Sequence, residues 1–148
     1  AVIERSFETW LQAVELPGEE TGTPLERVTT MAANIATSLV DAPDFLRLGL
    51  MLALERRPVE PRGRTVFLQV RAIAARRIAE TVETLFPDLE EEAVRTLTTY
   101  AVAGADGLFV HREIHGDAVD LVAMLELHAQ LVYEAASRMA MARETQKA

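Results

Sequence analysis

Tyr100-Ala-Val-Ala-Gly-Ala-Asp-Gly-Leu-Phe109 is the stretch that decides the architecture. It sets Gly104 and Gly107 among alanines, inside what otherwise reads as one long helix from about Leu89 to His115. A glycine within a helix costs about 1 kcal/mol relative to alanine. Close approach of another helix to the bare backbone offsets that cost. Directly downstream, Asp117 to about Arg143 reads as a second long helix, apolar almost all round, with a narrow polar strip of Glu126, Gln130, Glu134 and Arg138. Such a helix must be covered on more than one side. Together the two predict packing against another subunit as well as against their own core, in a symmetric homodimer. Leu97, Ala101, Gly104, Ala105 and Leu108 supply the close-packing stripe of the first helix. Leu121, Met124, Leu125, His128, Leu131 and Val132 form the broad apolar face of the second. Some of these residues must face their own core, and periodicity does not divide them.

Upstream of this pair, four more helical segments follow from 3–4 spacing of apolar residues. The first runs from the N-terminus to about Leu16, with Ile3, Phe7, Trp10, Leu11 and Val14 in phase, and Pro17-Gly18 ends it. Its pattern is already in register at Ile3, which suggests a cut through a longer protein. The second opens at Thr23-Pro24, where Thr23 suits the N-cap, Pro24 the first helical position, and Glu26 completes a capping box. Leu25, Val28, Ala32, Ile35 and Leu39 are its stripe, and Asp41 to Pro43 break it. A short leucine-rich segment follows from Pro43 to about Arg56, closed by a loop with Pro58, Pro61 and Gly63. The fourth runs from about Arg64 to Phe86, with Phe67, Val70, Ala74, Ile78, Val82 and Leu85 as its apolar arc. Gly116 ends the fifth helix and Asp117 caps the sixth. No strand pattern competes, so the fold class is all-α: one helical domain of about six helices over residues 1–148.

Composition narrows the function classes. The chain has 148 residues, 49% of them hydrophobic, enough for a real core and too apolar for disorder. Its net charge of −8 argues against direct contact with nucleic acid or anionic membrane. It has no cysteine, hence no disulfide and no cysteine-based zinc site. With no signal peptide and no spanning apolar run, the expected location is cytoplasmic.

Few residues offer chemistry. His111 and His115 stand one helical turn apart, the spacing a metal needs from one helix face. Arg112, however, occupies the place where a zincin carries glutamate, and two histidines near a helix C-terminus are also favoured by the dipole alone. Glu90-Glu91-Glu92 reads as a solvated first turn more readily than as a metal cluster. No Glu-x-x-His pair, nucleophile triad or phosphate loop is present, so no cofactor, metal or catalytic residue is expected. His128 lies among apolar neighbours as a hydrogen-bonded packing residue, a ligand contact or a pH sensor. Arg71 falls inside an apolar arc. It requires either an internal anion, such as Asp106 or a glutamate, or an anionic or carbonyl-bearing ligand. Thr30, Asn34 and Ser38 flank the second stripe as interhelical hydrogen bonders or as the polar groups of an apolar pocket.

The order of elements resembles a known family. A helix with Phe7 and Trp10 precedes Pro24-Leu25-Glu26-Arg27, then Pro43-Asp44-Phe45-Leu46-Arg47-Leu48 and a leucine-rich helix closed by Glu55-Arg56-Arg57. Val66-Phe67-Leu68-Gln69-Val70-Arg71 opens a long helix, and Ala105-Asp106-Gly107-Leu108 precedes the final apolar one. This arrangement resembles the C-terminal regulatory domain of TetR-like bacterial transcriptional regulators. The resemblance implies that the last two helices pair with their mates in a dimeric four-helix bundle. It also implies that an N-terminal helix-turn-helix, absent from this chain, provides DNA binding, and that the earlier helices enclose an effector pocket. On that basis Phe7, Trp10, Met31, Asn34, Phe67, Arg71 and Tyr100 are the expected pocket lining. The effector would be a mostly apolar molecule with an acidic or carbonyl group against Arg71. The competing classes are a helical metal-dependent enzyme using His111, Glu113 and His115, and a helical scaffold without a ligand.

Overall fold

The capping box at Thr23 sets the second helix in place. The Thr23 hydroxyl accepts from the Glu26 N–H at 3.3 Å, and the Glu26 carboxylate accepts from the Thr23 N–H at 2.8 Å. These bonds satisfy two of the donors that a helix start leaves without partners, and they hold the Glu26 carboxyl below its ordinary pKa. Thr23→Ala is expected to lower the unfolding free energy by about 1 kcal/mol, read as a shifted midpoint in urea with an unchanged slope.

The structure is a computed structural model and describes residues 2–55 and 62–147. Six helices are present and no strand occurs among the described residues: α1 (Val2–Ala13), α2 (Pro24–Asp41), α3 (Asp44–Leu54), α4 (Arg62–Leu85), α5 (Glu91–His115) and α6 (Leu121–Lys147). Single 3-10 turns, Glu19–Thr21 and Gly116–Ala118, join α1 to α2 and α5 to α6. The side chain of Ile3, the Arg56-Arg57 close of the third segment and the loop with Pro58 and Pro61 lie outside the described residues. Among the described residues no helix is long and apolar enough to cross a membrane.

The start of α6 departs from the sequence expectation. Gly116 does end α5, with φ 66° and its N–H on the Arg112 carbonyl. Asp117 does not cap α6; its carboxylate pairs with Arg112 at 2.6 Å. The chain spends one extra turn before Leu121, and Asp120 caps instead, accepting from the Ala123 N–H at 3.1 Å. A capping carboxylate reaches only the N–H groups two or three residues after it. The 3-10 turn leaves only Asp120 at that distance.

α6 packs along α2 and α5, α4 along α5, α1 on α2, and α3 on α4. The core divides in two. Trp10, Ala36, Leu46, Phe67, Phe109 and Leu125 belong to the larger part, while Val82, Val94, Leu97 and Ala136 form the smaller. Arg27 and Arg77 tie down the end of α1, donating to the carbonyls of Pro17 and Leu11.

Candidate functional site

The gap between the two parts of the core is a cavity of about 100 Å³, walled by α2, α4, α5 and α6. Its origin lies in residue size. Ala32, Ala101, Ala105, Ala129 and Ala136 stand where the helices converge, and their methyl groups do not fill the space between the backbones. Met31, Ile35, Ile78 and Val132 complete much of the wall. No charged side chain lines it. Of its polar groups, the Thr81 hydroxyl already donates to the Arg77 carbonyl at 3.0 Å. His128 Nε2 lies 3.0 Å from the Ala101 carbonyl. A carbonyl only accepts, so Nε2 carries a proton and donates it. Walls this apolar favour an apolar guest.

A smaller chamber of about 40 Å³ adjoins it, sharing Ile35, Ile78 and Ala105 as walls. Arg71 and Asp106 line it and form an ion pair between α4 and α5. Arg71 is therefore satisfied within the chain. Its guanidinium also stands 6.0 Å from the centre of the Phe67 ring, a cation–π arrangement. Burial pushes the Asp106 carboxyl above its ordinary pKa, against the charge and hydrogen bond of Arg71, which pull it down. An anionic ligand that displaced this carboxylate from Arg71 would leave it largely buried without a partner, a loss of about 2 to 3 kcal/mol. Trp10 also lines this chamber, and its buried Nε1–H has no hydrogen-bond partner among the described residues.

On the far side of α5 and α6 a shallow groove opens to solvent, lined by Tyr100, Gly104, Gly107, Met124, Leu127 and Leu131, with Leu108 and His128 at its base. Tyr100 is 60% exposed, Leu131 50% and Leu127 48%; Ile114, 70% exposed, continues the same face of α5. Positions 100, 104, 107 and 108 of one helix and 124, 127, 128 and 131 of its neighbour follow helical periodicity, yet no other described element lies over this mainly apolar face.

The structure sorts the residues expected from sequence. Met31 lines the main cavity, and Trp10 and Arg71 line the small chamber. Phe7 and Phe67 line neither. Both pack against Phe45, Phe7 edge-on at a ring distance of 4.6 Å and Phe67 tilted at 5.5 Å, in an aromatic cluster. Asn34 is exposed, and Tyr100 faces the groove instead of the cavity, because α5 turns Ala101 and Ala105 inward. Of the expected interface set, Leu97, Leu121 and Leu125 are buried in the subunit's own core, and Ala101, Ala105 and Val132 wall the cavity. Gly104, Leu108, Met124, His128 and Leu131 remain on the groove.

The His111 and His115 rings are 4.3 Å apart and both are exposed. Glu113 is taken by Arg47 on α3, at 2.5 Å. Among the described residues no three His, Asp or Glu side chains converge as a metal would require. Glu90 pairs with Arg143 at 3.3 Å. Ile35, Ile78, Ala129 and Tyr133 were not expected at a cavity. Their spacing marked only helix stripes, and the alanines were the one available sign of space.

No family model matches the chain, and no curated protein matches it in sequence.

Proposed function

We propose that this chain is the effector-binding and dimerisation domain of a TetR-like transcriptional regulator, acting on DNA through a helix-turn-helix in the full-length protein. The observation that carries the reading is the exposed apolar groove on α5 and α6, with an apolar cavity on the inner side of the same two helices. Exposed Tyr100, Met124, Leu127 and Leu131 stand together there, the kind of contiguous apolar surface that suits a contact between subunits. The occupant we assign is a second copy across a twofold axis. The groove would then close into a four-helix bundle and bury at least about 1,000 Å². The effector is an uncharged, mainly apolar small molecule, because no charge lines the main cavity and Arg71 is neutralised by Asp106. With a net charge of −8, the domain itself makes no specific contact with DNA.

Gly107 supplies the test. A Cβ built there meets nothing within 4 Å, so a side chain at this position leaves the subunit undisturbed and improves helix propensity. Parent protein is expected to sediment as a dimer at micromolar concentration. Gly107→Glu is expected to sediment as a monomer with its helical circular dichroism retained. A monomeric parent, or a dimer that survives Gly107→Glu, overturns the reading.

A further inference from the structure

We infer that His128 is the residue through which occupancy of the cavity changes the pairing of subunits. This rests on the function proposed above, and it adds the physical link between its two halves.

Among the described residues, His128 is the one side chain that walls both the interior cavity and the surface groove. The cavity reaches α5 at Ala101 and Ala105, and the groove reaches it at Tyr100, Gly104 and Gly107. The imidazole lies between those two faces. Gly104 is what lets it lie there: a Cβ at that position would stand 2.3 Å from the ring's Cε1 and 2.4 Å from Nε2. The ring is held to α5 by the Ala101 carbonyl, a group of the cavity side. Its centre is 5.4 Å from that of the Tyr100 ring, a group of the groove side. A guest in the cavity therefore touches the same imidazole that a second subunit covers. Because Gly104 leaves no slack behind the ring, a displacement or restriction imposed from inside is felt at Tyr100. Two ligands that contact one element in this way are coupled, and the coupling is reciprocal.

The glycine thus has a different use from that of a point of helix approach between subunits. Gly104 receives a side chain of its own subunit, and Gly107 is the glycine left open to a second copy.

Toluene is the probe, and the readout is the dimer dissociation constant by analytical ultracentrifugation, with and without saturating toluene. In the parent, toluene is expected to shift that constant at least about fivefold. His128→Ala alters both contact surfaces, so its toluene affinity and its dimer constant are each remeasured; at toluene concentrations saturating for the variant, the ratio of its dimer dissociation constants with and without toluene is expected to fall within about twofold. His128→Phe, which restores a ring without the hydrogen bond, recovers at least half of the parent's shift on a logarithmic scale. Three results overturn the inference: a parent that binds toluene and dimerises with no shift, a His128→Ala variant that keeps the full shift, or a His128→Phe variant that recovers none of it. Failure of toluene to bind the parent, read by thermal shift, or a monomeric parent sinks the proposed function itself and takes this inference with it.

Discussion

Gly49→Ala is expected to lower the unfolding free energy by about 3 kcal/mol, although alanine is the better helix former by about 1 kcal/mol. Gly49 is in the middle of α3 and buried against Phe67 of α4. A Cβ there would lie 2.0 Å from Phe67 Cδ2 and 2.1 Å from Cε2. The atoms it meets belong to a rigid ring that is itself buried and packed at a tilt against Phe45, 5.5 Å between ring centres. The ring cannot swing aside without opening the core around Leu46, so α3 must lift from α4. Phe67→Leu in the same chain should recover part of the loss, making the double variant more stable than the sum of the single effects predicts. Denaturant unfolding of the three variants checks this. A Gly49→Ala protein as stable as the parent would show that α3 rides on α4 with slack.

Arg71→Leu is the second large effect, a loss of about 2 to 3 kcal/mol at neutral pH. The side chains of Arg71 and Asp106 are 19% and 25% exposed, buried enough that the carboxylate left behind is not rescued by water. Replacing both partners, with Arg71→Leu and Asp106→Leu, removes the stranded charge and should recover at least half of the loss. The pH dependence follows from the sign of the Asp106 shift. Its carboxyl already titrates above its ordinary value, and losing Arg71 moves it further up. A folded state with a raised carboxyl pKa binds its proton more tightly than the unfolded chain. The penalty is therefore absent below the unfolded pKa of about 3.9 and grows as pH rises through the folded value. The gap between Arg71→Leu and parent should narrow as the solution is acidified from neutrality toward pH 4, read as the difference in urea midpoints. A gap that is independent of pH would mean that Asp106 is solvated and that the loss comes from packing alone.

Arg71 also shows how far sequence reading reached into the site. Its place in an apolar arc required an anion, and Asp106 was among the partners that requirement allowed. What could not be read was that the pair is complete and stands beside a small chamber, while the larger cavity lies about two helical turns further along α4, against Ile78. Phe7 and Phe67 failed as cavity residues for a related reason. An aromatic on a buried face is equally suited to lining a space or filling it, and Phe45 between them filled it.

Sequence by itself determined what depends on neighbours within one or two turns. Six helices, the capping box of Thr23 and Glu26, and the stop at Gly116 all rest on hydrogen bonds spanning three or four residues. Such bonds are set by residue types at fixed spacing. The apolar surplus of α6 was equally legible, because it is a property of one helix. Only the tertiary structure decided which part of that surplus is core and which is groove. Leu121 and Leu125 turn inward and Leu127 and Leu131 outward because α2 and α5 lie on particular sides of α6. The cavity belongs to the same level. A void is what remains when four helices from distant parts of the chain fail to fill the space between them, so no single helix carries its signature.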